Sequence, residues 1–286
     1  MSPSVSAYNK VLANTGTVAI YGVERSRDSR LQLPVNKGDT QLYLTPGLDW
    51  VAGDQIYLAP TAMQQDHSDY ATLETYDKGS GIATLTQPLN YYHFGTGSST
   101  KLDYGVDMRG EVVLLNRNIM ITGTETDDWG CQVFTTDIID GATFRNGKTT
   151  LKNIEIYRGG QRDTFRAAIR FEGSLSGSGL IENVVSHHSS CWHMNLVDSA
   201  NIVVNNFSGI KSKAIGVSID KVRNVQMRGT YVFDVPQRTT AKDVSNKVLD
   251  KESCFLICTH SNIKGSPCPD ISVQDSIVAG CHYAGI

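Results

Sequence analysis

Apolar and polar residues alternate in short runs along almost the whole chain, and no stretch repeats at the spacing of an amphipathic helix. Gly16–Tyr21, Gln41–Leu44, Gln55–Leu58, Ile82–Leu85 and Glu111–Leu115 each read as a β-strand, bounded by Gly, Asn, Asp or Ser. The pattern predicts an all-β protein. From residue 116 onward the runs share an opening, an Asn or Asp followed by alternating Ile or Val. The copies begin at Asn118, Asn153, Asn183, Asn201, Asn224 and Asp270, at intervals of 35, 30, 18, 23 and 46 residues. The last interval is twice 23 and implies one intervening coil whose Asn is lost between Pro236 and Cys258. A variable period of this size is the mark of a solenoid.

An Asn at a fixed place in each coil can take a left-handed bend that a β-branched residue cannot, and stacked Asn side chains can hydrogen-bond from coil to coil. The Ile and Val that follow alternate between an inward and an outward position. A parallel β-helix meets both demands, and we expect it over 106–286, after an N-terminal irregular β module over 1–105. The denser alternation of Gly38–Tyr92 fits a separate module or irregular first coils of the same solenoid. A last coil needs a cap, and Cys281–Ile286 has no polar capping segment, so we expect a chain truncated at its C-terminus.

Composition narrows the partners. The 26 Lys and Arg against 29 Asp and Glu give a net charge of -3, which supplies no positive field for a nucleic acid. No apolar run approaches the ~18 residues of a membrane span, and Met1–Ile20 lacks the layout of a secretory signal. Export would therefore need a signal outside this chain. Four of six cysteines, Cys254, Cys258, Cys268 and Cys281, crowd together without the paired knuckles of a zinc site. A Cys258–Cys268 disulfide closing the Gly-Ser-Pro loop is the preferred reading, with buried free thiols as the alternative. Asn206-Phe207-Ser208 is an N-glycosylation candidate.

Particular segments resemble a known family. Leu48–Thr61, Ile82–Gly95 and Val106–Ile119 look like the region that follows the G8 domain in fibrocystin-like proteins and the related cell-surface and secreted hyaluronan-processing proteins. Leu151–Gln161, followed by Ala168–Phe171, is similar to the start of that family's parallel β-helix repeats. The resemblance implies a right-handed β-helix in an extracellular segment of a large, membrane-anchored surface protein. Its expected role is structural, or the binding of a glycan or another ectodomain. The alternative is a polysaccharide-cleaving enzyme of the hyaluronan-processing type, a glycosidase or lyase acting on a glycosaminoglycan. Ala168–Glu172 lacks the His-rich stretch of that branch, and no catalytic residue is carried over.

Several residues could carry chemistry. Asp103, Asp107 and Glu111, spaced by four around Arg109, could hold Ca2+ or sugar hydroxyls, or form an ion-paired rim. No other cofactor is expected. His187, Cys191 and His193 fall on one side of a continuous strand, where they would bind a metal, move protons, or line a turn. Arg158 and Arg162, with Arg166 and Arg170, could form a groove for an acidic glycan. Of the acids Glu155, Glu172, Glu182, Asp198, Asp220 and Asp234, nothing in the spacing selects a catalytic pair.

Overall fold

A short strand with apolar side chains on one side needs a partner along each edge and a core beneath it. This chain supplies both by coiling on itself. The structure is a computed structural model, and it describes residues 6–97, 107–124, 128–236, 253–258, 268–282 and 284–285. They divide into two units, Glu24–Arg117 and a second unit made of the residues on either side of it.

The second unit is a parallel β-helix. Its first face stacks Val11–Asn14, Gln132–Thr135, Ile169–Glu172, Met194–Val197, Val217–Asp220 and Phe255–Ile257. The second face stacks Thr17–Tyr21, Lys148–Lys152, Ser178–Glu182, Ala200–Asn205, Arg223–Arg228 and Ile271–Gln274. The third stacks Met120–Thr122, Glu155–Tyr157, Val185–Ser189, Ser208–Ser212, Tyr231–Val235 and Ile277–Cys281. Every pairing within the three faces is parallel and in register, as in Leu151 beside Ile181, Ile181 beside Val204 and Val204 beside Met227. Those four side chains are buried, and with Ile169, Met194, Val217 and Phe255 from the first face they form one continuous core. Stacked aliphatic columns of this kind are the main source of stability, because each buried Ile or Leu contributes about 2 kcal/mol.

The Asn repeat resolves into two ladders. At the turn from second to third face stand Asn153, Asn183, Asn206, Gly229 and Asp275, all with φ between 50° and 62°. At the entry to the second face stand Asn201, Asn224 and Asp270, with φ between 52° and 60°. Each ladder carries a side-chain bond from coil to coil: Asn183 Nδ2 donates to Asn153 Oδ1 (2.8 Å), and Asn224 Nδ2 to Asn201 Oδ1 (2.9 Å). The odd interval of 18 residues is therefore a step from one turn to the other, and the successor of Asn183 is Asn206. The expected intervening coil is absent as well, since Val225–Arg228 pair directly with Ile271–Gln274.

The structure also draws the unit boundaries differently from the expected division at 105 and 106. Val11–Asn14 and Thr17–Tyr21 pair with Gln132–Thr135 and Lys148–Lys152, so they belong to the first coil of the solenoid. The chain leaves that coil at Val23 and re-enters at Asn118, whose side-chain oxygen accepts the Val23 N–H at 2.7 Å. Gly22 sits beneath the next coil so closely that a Cβ would lie 2.0 Å from the Asn153 carbonyl oxygen.

Glu24–Arg117 is a six-stranded antiparallel sheet in the order Asp28–Arg30, Glu111–Leu114, Gln55–Leu58, Asp69–Tyr76, Ile82–Leu85, Gln41–Tyr43. It has its own core around Leu42, Trp50, Ile56, Leu73 and Leu114. The Asp107, Arg109 and Glu111 group lies in this unit, while Asp103 is outside the described residues.

Two disulfides close the last coil. Cys258 joins Cys268, and Cys254 joins Cys281, with Cα separations of 6.2 and 5.6 Å. Cys131 and Cys191 are buried free thiols, pushed up by burial to about 11 and about 12.

Candidate functional site

Which outward side chains are reachable decides where this solenoid can act. On the first face the outward column runs Phe134, Arg170, Asn195 and Ser218, and all four are buried. On the third face the outward positions Val185, His187, Ile210 and Phe233 are buried too, while Tyr157 and Ile277 are half-buried and Met120 of the first coil is exposed. The second face differs, since its outward residues Lys148, Ser178, Asn201, Gln226, Arg228 and Gln274 are exposed.

That exposed face carries a groove of about 610 Å³ across its last three coils. Parallel pairing sets Asn205 beside Arg228 and Arg228 beside Gln274, and in a second column Val203 beside Gln226 and Gln226 beside Ser272. Asn224 and Asp270, from the entry ladder, form one lip. Val225 and Met227 point into the core, so alternation alone turns Asn224, Gln226 and Arg228 outward. Arg228 Nε lies 2.8 Å from Asp275 Oδ2, and both side chains are more than 60% exposed, at 71% and 65%. The groove thus offers amides, one guanidinium, a hydroxyl and carboxylates on a rigid backbone.

A second polar cluster is buried on the third face. His187 Nε2 is 2.9 Å from Glu155 Oε1, and His187 Nδ1 is 3.0 Å from His188 Nδ1. Tyr157 stacks on His187 with ring centroids 4.9 Å apart, and the Arg158 guanidinium lies over Tyr157 at 4.9 Å. Burial, followed by the charges of His187, Lys211 and Arg158, pushes His188 down to about 3.

No protein-family model matches the chain. It is 31% identical over 107 residues to fibrocystin-L of Mus musculus, covering 37% of this chain and 2% of that protein. Over 201 residues it is 27% identical to fibrocystin-L of Homo sapiens, covering 63% and 5%. Both matches are to one kind of protein. The chain is similar to fibrocystin-L. A G8 domain-containing protein of Dictyostelium discoideum is 22% identical over 200 residues, covering 68% of this chain and 16% of that protein. The chain therefore spans only a small part, 16% or less, of these relatives. Among solved structures, it is similar to the tailspike protein gp49 from Pseudomonas phage LKA1 (11% identity, 76% of this chain and 36% of that one, TM-score 0.27). It is also similar to the Gp54 tailspike of Acinetobacter baumannii bacteriophage AP22, solved in complex with a capsular saccharide (10% identity, 78% and 36%, TM-score 0.27).

The residues singled out in the sequence do not form one site. His187 points outward, whereas His193 is fully buried inside the coil, its Nδ1 2.9 Å from Ser186 Oγ. Cys191 donates its thiol to the Thr164 carbonyl. The strand is not continuous there. It ends at Ser189, and the left-handed His188 (φ 54°) begins the corner, which is why the three residues separate. Burial, then His187 and His188, pushes His193 down to about 3.

The arginines separate as well. Arg170 is buried between Phe134 and Phe165, 4.4 and 4.9 Å from their centroids, and pairs with Glu172 through Nε at 2.7 Å. Arg166 lies over Tyr8 at 3.5 Å, and Arg162 pairs with Asp128 and Asp163. Of the acids, Glu155 lies on the third face, Glu172 on the first and Glu182 on the second, where Lys152 pairs with it at 2.9 Å. In the antiparallel unit, Asp107 is gripped by Arg109 through both oxygens (2.9 and 2.7 Å), and Glu111 is paired with Arg30 at 2.8 Å. Burial pushes Glu111 up to about 7 against the pull of Arg30. Among the described residues no three His, Cys, Asp or Glu side chains are placed to hold a metal. None of their helices is long and apolar enough to cross a membrane. Asn206 is exposed at the turn beside the groove.

Proposed function

We propose that this chain is an extracellular β-helix segment of a large surface protein, and that it serves as a scaffold that binds a glycan through its second face. The observation that carries this reading is the contrast among the three faces: in the middle coils two have buried outward columns, while the second is exposed, polar and grooved. The likeness to fibrocystin-L and the two disulfides support a location outside the cell. The purified chain, printed with its disulfides intact against an immobilised glycan array, should retain a subset of saccharides. A paired array probed with the variant Gln226→Glu, Arg228→Glu should lose them. No retention by the wild type would refute the reading.

The rival reading, polysaccharide cleavage, draws support from the Glu155, His187 and His188 cluster. A group held near 3 has little tendency to take a proton at neutral pH, and the neighbouring pair is buried. The cluster supports packing of the third face better than it supports acid–base chemistry. Incubation with hyaluronan and other glycosaminoglycans, read as chain length, should show no shortening.

A further inference from the structure

We propose that the second-face groove is a site for a neutral polysaccharide lying along the solenoid axis, with Asn205, Gln226, Arg228 and Gln274 as its contacts. This rests on the reading of the second face as the ligand face, and it names the ligand class and the residues. The spacing of the groove residues suits a sugar chain. Successive coils of a parallel ladder are ~4.8 Å apart and alternate outward residues ~6.6 Å apart along each strand. A sugar ring is of the same size, so an extended glycan along the axis meets one side chain per coil in each of two columns. Asn205, Arg228 and Gln274 make the first column, and Val203, Gln226 and Ser272 the second, with the half-buried Val203 giving an apolar floor for the carbon face of a ring.

Hydroxyls donate and accept at once, and so do the primary amides of Asn205, Gln226 and Gln274. The Arg228 and Asp275 pair completes the match, since the guanidinium only donates and the carboxylate only accepts. A pair of neighbouring hydroxyls can bond to both partners without parting them. Arg228 already has Asp275 at 2.8 Å, and Asp270 lines the groove at the Asn224 end, so the only guanidinium of the lining is already paired and a further carboxylate stands along the same groove. A uronate or sulfate would have to displace Asp275 and approach Asp270, and like charges at close range disfavour the complex. A neutral chain meets neither obstacle. Asn205, Gln226 and Arg228 stand on strands paired on both sides, Gln274 stands on the last strand of the face, and Asn224 is fixed by Asn201, so little ordering is needed on binding.

The test uses the whole chain and calorimetric titration with soluble neutral glucans, mannans and galactans, beside polyuronates and sulfated glycans. Arg228→Ala and Gln226→Ala are compared with Lys148→Ala, on the same face but outside the groove; all three are exposed, and circular dichroism checks the fold. We expect at least one neutral glycan to bind, and the two groove variants to weaken it by about tenfold while Lys148→Ala does not. Raising salt well beyond the screening range should change the affinity by less than about twofold, because no net charge is neutralised. Tighter, salt-sensitive binding of polyuronates or sulfated glycans would overturn the inference and leave the glycan-binding reading standing. Neutral binding unaffected by the groove variants would do the same. Failure of every glycan to bind would remove both.

Discussion

At the scale of single residues, the interior of the solenoid tolerates polar groups only where geometry leaves exact room for them. His193 is fully buried, one ring nitrogen meets Ser186, and Nε2 has no partner among the described residues. Gly209 makes the space, since a Cβ there would lie 2.8 Å from His193 Cδ2. Gly209→Ala should therefore cost about 1–3 kcal/mol in denaturant unfolding, because the ring must shift within a packed coil. An unchanged midpoint would contradict this placement of His193. The pH dependence has a defined sign. His188 and His193 are held near 3 when folded and titrate near 6.5 when unfolded, so their contribution is full above 6.5 and is lost as pH falls toward 3. Glu111 runs the other way: held up near 7 when folded against 4.5 unfolded, it contributes fully below 4.5 and loses that contribution as pH rises through 7. Glu111→Gln should flatten the fall in stability of its unit between pH 5 and 8, a slope of up to about 1.4 kcal/mol per pH unit. A slope equal to that of the wild type would remove the argument.

At the scale of the coil, the turn residues decide whether a rung can form. Asn183 has φ 50° and donates to Asn153, so it does two jobs. Asn183→Ala should cost about 1–2 kcal/mol for the left-handed backbone, while Asn183→Gly keeps the backbone and loses only the side-chain bond. Urea midpoints should fall in the order wild type, Gly, Ala; equal Ala and Gly variants would show that the bond, not the backbone, matters. This double use explains what was legible in the sequence. Asn-led Ile and Val runs disclosed a parallel β-helix, because few folds need a left-handed polar residue before a buried strand at every repeat. They could not disclose that Asn183 and Asn201 serve different turns, since both turns make the same demand. The exposed groove was legible in principle, in the outward positions of Asn224–Arg228 and Ile271–Gln274, but sequence alone does not say which of three faces stays uncovered. His187, Cys191 and His193 were grouped by strand alternation, which fails where a corner intervenes.

At the scale of the whole molecule, one chain runs two folding programs. The antiparallel unit is a contiguous run, Glu24–Arg117, and the solenoid is split around it. The sequence hid this division because Val11–Asn14 finds its partner strand at Gln132–Thr135, more than a hundred residues away. Local alternation carries no trace of such a pairing. Since Val23 and Asn118 are hydrogen-bonded at 2.7 Å, replacing Glu24–Arg117 with a short Gly-Ser linker should leave the solenoid folded. Hydrogen exchange at Leu151, Ile181 and Val204 should stay as slow as in the parent. Rapid exchange there would mean that the solenoid depends on its insert.

The clasp between Val23 and Asn118 turns the first coil into a socket. Any passenger whose two ends lie side by side can be plugged in at that point without changing the register of the coils that follow. New surfaces could thus be acquired by exchange of cassettes, while the coils that follow keep their own residues and pairing.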